Sequence, residues 1–216
     1  MTRIAFLHTG AVVIPPVMEL AGRLIPDVQA VNYLDDRIVA DLGDPARAAS
    51  VDERLEDLVR AARSAGAEAV MLTCSSISAY AAPLTARVGI PVLRIDEAMA
   101  DRAVAAGGRI AVIATLPTTL APTAALIAER AELAGAGPAI VSEVVEGAFA
   151  AVAGGDRATH DELVAAAITR LAAQADVVVL AQASMASAAA AVTVSVPVLT
   201  SLEPGIARLR DVLAAG

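Results

Sequence analysis

Residues 70–77 read Val-Met-Leu-Thr-Cys-Ser-Ser-Ile, and they place the only cysteine of the chain directly after an apolar run. Such a run is typical of a strand buried on both faces in a parallel sheet. It predicts that the strand delivers Cys74 to a crevice, and that Ser75 and Ser76 cap a helix beginning near Ser78. The positive end of that helix would favour the thiolate. From its position alone, Cys74 could instead be a small apolar residue that only fills the core.

The composition excludes several classes of protein. Hydrophobic residues make up 57% of the 216 and aromatic residues only 2%, so the core must be aliphatic. The net charge of −8 argues against nucleic acid and anionic membranes as partners. All 16 basic residues are Arg, which excludes a pyridoxal phosphate held by lysine. One cysteine can form neither an internal disulfide nor a thiolate metal cage.

One uncharged stretch, residues 177–202, is long enough to span a bilayer. Polar residues and a proline interrupt it at Gln182, Ser184 and Pro197, so a strand, a loop, a short helix and a second strand explain it better. We therefore predict no transmembrane segment. The chain starts directly with a strand-like run and no signal-peptide pattern, which makes the cytoplasm the expected compartment.

Short apolar runs alternate with amphipathic segments along the whole chain. In Val51–Ser64, for example, apolar residues recur at helical spacing and charges fill the other face. This alternation predicts an α/β fold in which helices cover parallel sheets. The predicted strands are Arg3–Leu7, Val28–Asn32, the run before Thr73, Pro91–Ile95, Arg109–Ala114, Ala139–Val145, Val177–Leu180 and Val196–Leu199.

The two halves of the chain repeat one another. Three matches occur in the same order: Arg3–Thr9 with Arg109–Thr115, Ala67–Leu72 with Ala175–Leu180, and Pro91–Leu93 with Pro197–Leu199. A repeated order of strands predicts two flavodoxin-like parallel-sheet lobes related by a pseudo-twofold axis. Ligands of such sheets bind at the carboxyl ends of the strands, so we expect an active-site cleft between the lobes. The first lobe would comprise residues 1–96 plus 201–216, and the second residues 97–200.

The repeat aligns Gln182 of the second lobe with Cys74 of the first. The other residues predicted to line the cleft are His8, Thr9, Thr73, Ser75, Ser76, Thr115, Thr118, Thr119, Ala183 and Ser184. Rich in hydroxyls and amides but poor in charge, this lining suits a small carboxylate or enolate. His8 could orient a substrate, act as a base or only form a hydrogen bond, and the threonines could simply begin a helix. His160, in a charged segment, is predicted at the surface.

Three segments, Thr73–Ser76, Leu180–Met185 and Ala114–Thr119, carry a resemblance to a known family. They resemble motifs of the aspartate/glutamate/hydantoin racemase superfamily, which includes maleate cis–trans isomerase and arylmalonate decarboxylase. Thr73–Ser76 is similar to the family's Thr-Cys-Asn/Ser-Thr motif, Leu180–Met185 to its Leu-Gly-Cys-Ala-Gly-Met motif, and Ala114–Thr119 to its Thr-rich turn. The resemblance covers essentially the whole chain. It implies a duplicated α/β fold and a cofactor-independent reaction in which two cysteines exchange the α-proton from opposite faces of the substrate.

The chain departs from this pattern at Gln182, which stands where the family has its second cysteine. An amide cannot exchange a proton at neutral pH. We therefore expect a single thiol, Cys74, to transfer a proton at the carbon α to the carboxylate of a small acid. Decarboxylation, cis–trans isomerisation of a small dicarboxylate by thiol addition, and silent carboxylate binding remain alternatives. Ala-rich helices with few charges in the second half also predict a homodimer or larger assembly.

Overall fold

The computed structural model describes residues 1–215, which form two compact units. The first comprises Met1–Ile95 and the C-terminal segment that begins at Leu202, and the second comprises Asp96–Ser201. The strands are β1 (Arg3–His8), β2 (Gln29–Leu34), β3 (Ala69–Leu72), β4 (Val92–Arg94), β5 (Arg109–Ala114), β6 (Ala139–Val144), β7 (Val177–Leu180) and β8 (Val198–Leu199).

Within residues 1–215, ten α-helices connect and cover these strands. They are α1 (Ile14–Leu24), α2 (Ile38–Leu42), α3 (Val51–Ser64), α4 (Ala81–Val88), α5 (Glu97–Ala106), α6 (Pro117–Leu133), α7 (Ala148–Ala153), α8 (Arg157–Ala172), α9 (Ala186–Ala191) and α10 (Leu202–Ala215). Short 3-10 helices occupy Ala11–Val13, Ala48–Ser50, Ser75–Tyr80 and Ala183–Met185.

Each unit contains one four-stranded parallel sheet, and the strand order is the same in both. The orders are β2-β1-β3-β4 and β6-β5-β7-β8. The central strands are the most apolar because helices cover both their faces, and every residue of β3 and of β7 is buried. The predicted α/β fold with two parallel-sheet lobes of four strands is confirmed.

Strand boundaries differ from the prediction mainly at edge strands. The second strand extends to Leu34 rather than ending at Asn32, since β2 pairs along the full length of β1. The eighth begins at Val198 rather than Val196, because Pro197 has no N–H to donate to a ladder and only its carbonyl bonds to β7. The uncharged stretch from residue 177 forms the predicted strand, short helix and second strand, and a 3-10 helix follows the first strand where a loop was predicted.

The first unit also contains the C-terminal helix, α10, which packs against α1. The same helix approaches Ile95 closely, and this approach requires a glycine, because a Cβ at Gly205 would overlap the carbonyl oxygen of Ile95. In the same unit, Arg54 forms ion pairs with Asp35 and with the buried Asp41, and thereby ties the segment after β2 to α3. Of the helices within residues 1–215, none is long and apolar enough to cross a membrane.

Candidate active site

Cys74 lies in the turn that follows the central strand β3. It is half-buried and has extended backbone angles (φ −129°, ψ 126°) as the residue before a 3-10 helix. The helix begins at Ser75, not near Ser78, and Cys74 itself is its N-cap, so the prediction that Ser75 and Ser76 cap the helix is wrong. The chain turns directly after the strand, and its first intrahelical bond runs from Ile77 N–H to the carbonyl of Cys74.

His8 ends the neighbouring strand and is fully buried. Leu7 pairs with Leu72 in the sheet, and this register sets His8 beside Thr73. The His8 Nδ1 is 2.8 Å from the Thr73 hydroxyl, and Nε2 is 2.8 Å from Asn32 Oδ1. Both ring nitrogens are thus hydrogen-bonded to protein side chains. This geometry fits the alternative in which His8 only forms hydrogen bonds, one of them to Thr73, the residue before Cys74.

The hydrogen bonds of His8 assign its tautomer. The Asn32 amide nitrogen faces Met18 Sδ, so its oxygen faces the ring and must accept a proton from Nε2–H. In this tautomer Nδ1 accepts the single hydroxyl proton of Thr73, which then cannot also be donated to the Leu7 carbonyl at 3.0 Å. Burial lowers the pKa of His8 below its ordinary 6.5, although the bond to Asn32 partly offsets this. The ring is therefore neutral at neutral pH.

Gln182 has the corresponding position in the second unit. It follows β7, precedes the 3-10 helix Ala183–Met185 and has nearly the same backbone angles as Cys74 (φ −129°, ψ 139°). The first intrahelical bond again returns to this residue, from Met185 N–H to the Gln182 carbonyl at 3.1 Å. The backbone therefore supports the alignment of Cys74 with Gln182 that the sequence repeat predicted.

The side chain of Gln182 is held by Thr115. Its Oε1 accepts hydrogen bonds from the Thr115 backbone N–H at 2.5 Å and from the Thr115 hydroxyl at 2.9 Å. Because a backbone N–H can only donate, the oxygen of the carboxamide must face Thr115. Within residues 1–215 the two N–H groups of Gln182 Nε2 have no protein acceptor. Gln182 therefore presents hydrogen-bond donors and no acceptor.

All the predicted site residues lie at the carboxyl ends of the central strands of their own sheets. Those in the first unit are His8, Thr9, Thr73, Cys74, Ser75 and Ser76, and those in the second are Thr115, Thr118, Thr119, Gln182, Ala183 and Ser184. Thr118 is notable because it lies in the first turn of α6 and its buried hydroxyl has no hydrogen-bond partner in the described chain. It thus combines an unused hydroxyl with the positive end of a 17-residue helix.

In each unit the ends of the central strands carry neutral groups rather than fixed charges. Strands β1, β3, β5 and β7 are followed by hydroxyl, thiol, imidazole and amide side chains, and none of these is a carboxylate. Among residues 1–215 no group of three His, Cys, Asp or Glu side chains could hold a metal ion. Each unit thus offers neutral donors that can bind an anion, and the first unit adds two groups able to carry a proton, the Cys74 thiol and the His8 imidazole.

Two residues were missed or misplaced by sequence reasoning. Asn32 was not considered a site residue, although a polar residue on an edge strand beside His8 was the available signal. His160 was predicted at the surface but is fully buried in α8, so that prediction is wrong. The acidic neighbours suggested exposure, but one of them, Asp161, instead accepts a hydrogen bond from the buried ring.

The repeated four-stranded sheets, each with a polar turn after the same central strand, define a duplicated α/β protein. Residues 16–209 match the family model described as Asp/Glu/hydantoin racemase. The chain belongs to this family, and it is an enzyme of the isomerase/racemase type. No sequence among curated proteins matches it at a significant level.

Solved structures share the fold at low sequence identity. A glutamate racemase isoform from Bacillus anthracis superposes with a TM-score of 0.79 at 19% identity, over 99% of this chain and 82% of that chain. An aspartate racemase homologue from Pyrococcus horikoshii gives 0.69 at 17% identity, over 100% of both chains. Arylmalonate decarboxylase gives 0.60 at 23% identity, over 99% of this chain and 93% of that chain.

Proposed function

We propose that this protein is a cofactor-independent enzyme that transfers a proton at the carbon α to the carboxylate of a small acid, with Cys74 as its single acid/base thiol. The observation that carries the proposal is the pair of equivalent turns. One turn presents Cys74, and the other presents a carboxamide fixed by Thr115 so that only its N–H donors are available. A thiol can exchange a proton at neutral pH, whereas an amide cannot.

In the proposed reaction, the Cys74 thiolate removes the α-proton as H⁺. The electron pair of the broken C–H bond moves into the carboxylate and forms an enediolate. Donors stabilise the charge on its oxygens, and we assign this role to the Nε2 hydrogens of Gln182. Return of a solvent-exchanged proton from Cys74 restores the acid on the same face.

The neutral site also limits the substrate. An α-ammonium group buried against protein requires an anionic or strongly accepting partner, because an unpaired buried cation is costly. His8, Cys74, Thr115 and Gln182 lie at or just after the carboxyl ends of the central strands, and burial keeps His8 neutral. We therefore propose that the substrate is a carboxylic acid, or a cyclic amide acid, without an α-ammonium group.

Decarboxylation is the second candidate, and the single cysteine favours it. When a C–CO₂ bond breaks, CO₂ leaves and the electron pair stays on the remaining carboxylic acid as an enediolate. That intermediate needs only one proton, which the Cys74 thiol can donate, so no second thiol is required. The fold shared with arylmalonate decarboxylase is consistent with this reaction.

A deuterium-exchange screen tests the proposal. Small mono- and dicarboxylates, including 2-substituted malonates, are incubated in D₂O with the protein and followed by proton NMR and CO₂ release. We expect exchange at one α-position for at least one acid, and its loss in Cys74→Ala. CO₂ release with incorporation of one deuteron would show that the reaction is a decarboxylation. Exchange that persists in Cys74→Ala would overturn the role of the thiol, and tight binding without exchange would indicate a silent binding protein.

A further inference from the structure

The first turn of α8 contacts the turn that follows Gln182. Helix α8 connects the parallel strands β6 and β7, so it runs antiparallel to them and begins at the same edge of the sheet as Gln182. Arg157 Nη1 donates to the carbonyl of Ser184 at 2.8 Å. The hydroxyl of Ser187 donates to Asp161 Oδ1 at 2.9 Å. Two side chains of α8 thus hold residues 183–187, here termed the Gln182 turn.

His160 orients the carboxylate that makes the second of these contacts. Its Nδ1 is 2.7 Å from Asp161 Oδ1, the same oxygen that accepts from Ser187. The ring is fully buried, and its Nε2 has no hydrogen-bond partner among the described residues. A buried N–H without an acceptor is costly, so the proton lies on Nδ1 and is donated to Asp161. The ring therefore fixes one oxygen of Asp161 for Ser187.

The Gln182 turn needs this external support because its own helix is weak. Helix α9 has only six residues, and Ala188 is its single buried residue. A helix this short is not stable by itself and depends on tertiary contacts. In the first unit the helix after Cys74 is longer and is tied to α3 by the bidentate pair of Arg87 with Asp52. In the second unit the corresponding contacts, those of Arg157 and Asp161 with residues 183–187, lie next to Gln182, the residue that we assign to ligand binding.

We propose that Asp161, oriented by His160, is a positioning residue that fixes the Gln182 turn and thereby aims the carboxamide of Gln182. The part of this inference that concerns ligand binding rests on the proposed function. Asp161 itself is not assigned any contact with substrate. Its loss should therefore weaken ligand binding without removing the proton-transfer group.

The side-chain amide signals of ¹⁵N-labelled protein test the positioning directly, without substrate. The chain has three Gln and one Asn, so these signals are few, and Gln182→Leu identifies the Gln182 pair. We expect Asp161→Ala and Ser187→Ala to shift or broaden this pair. Backbone hydrogen exchange in residues 183–187 should rise about five- to tenfold, the effect of one lost hydrogen bond. Asp161→Asn keeps an oxygen acceptor and should retain most of the wild-type signal.

Arg170→Ala is the matched control. Arg170 lies on the same helix, and its substitution removes a bidentate pair with Glu143 rather than a hydrogen bond to the Gln182 turn. Unchanged Gln182 signals in both Asp161→Ala and Ser187→Ala, or equal changes in Arg170→Ala, would overturn the positioning role. With the acid that exchanges deuterium, KM should rise about five- to tenfold in Asp161→Ala with kcat within about twofold of wild type. A wild-type protein that turns over no acid would contradict the proposed function, while the NMR result would still decide the positioning role.

Discussion

Cys74 and Gln182 share one backbone position, used once in each unit. Both follow the third strand of their unit, both have a φ of −129°, and both accept the first hydrogen bond of a 3-10 helix at 3.1 Å. Their side chains differ in the one property that racemisation by two thiols requires, since a thiol can lose a proton at neutral pH and a carboxamide cannot. The repeat thus retains its geometry while the two positions have different chemistry.

Cys74 should be reactive in the native protein. It is half-buried in a turn rather than enclosed in the core, and it is the only cysteine, so the mass of the intact protein reports its modification. We expect iodoacetamide to add one group near neutral pH, and a substrate acid to slow the reaction. Labelling that appears only after denaturation would contradict both the proton-transfer and the thiol-addition hypotheses.

Gln182→Glu should weaken ligand binding while preserving the fold. A glutamate oxygen can still accept from Thr115, but the N–H donors are replaced by a second oxygen with negative charge, which repels a carboxylate. We expect KM in the exchange assay to rise at least about tenfold, the typical value of a hydrogen bond to a charged group. The matched control is Gln174→Glu at an exposed position, which should leave KM unchanged. Equal KM values for the two variants would remove Gln182 from the site.

The unmodified protein should not racemise amino acids. Aspartate, glutamate and hydantoins followed by circular dichroism should keep their optical activity, because only one face is served by a thiol. Turnover at an ordinary enzymatic rate, about 1 s⁻¹ or faster, would show that another residue replaces the second cysteine. Gln182→Cys restores the second thiol and should show at most weak racemisation, since the surrounding residues hold a carboxamide at that position.

His8 should make the protein less stable in mild acid. Its pKa is lowered by burial from 6.5, so below this pH the unfolded chain takes up a proton that the folded chain resists. The free energy of unfolding therefore falls as the pH decreases from about 6.5 toward the folded pKa. Urea titrations at about pH 7.5 and about pH 5.5 should show a larger decrease for wild type than for His8→Gln. Parallel decreases for the two proteins would indicate that His8 does not carry this effect.

Self-association stays a prediction that solution measurements can decide. Several large apolar side chains are exposed, among them Val12, Val141 and Phe149. Burying such side chains against a second copy would remove apolar surface from water. We expect light scattering at micromolar concentration to give at least twice the chain mass of 21.7 kDa. A clean monomer would refute the assembly.

The sequence alone determined the α/β class and the doubled order of strands. Unbroken apolar runs such as Val177–Leu180 and the matched segments around Arg3 and Arg109 report burial and repetition, which are local properties of the chain. The same repeat aligned Gln182 with Cys74, because equal spacing within two copies places equivalent residues after equivalent strands. The boundary of the helix after Cys74 was wrong, since the 3-10 turn there has no distinct sequence signal.

Only the tertiary structure decided what the polar side chains do. The register of β1 with β3 engages His8 with Thr73, and that of β5 with β7 turns the oxygen of Gln182 toward Thr115. His160 is buried because its face of α8 packs into the second unit, whatever the charge of its neighbours. Hydrogen-bond partners far apart in the chain are chosen by sheet register and helix packing. A side chain that can bond in several ways therefore acquires one role only when the fold supplies its partner.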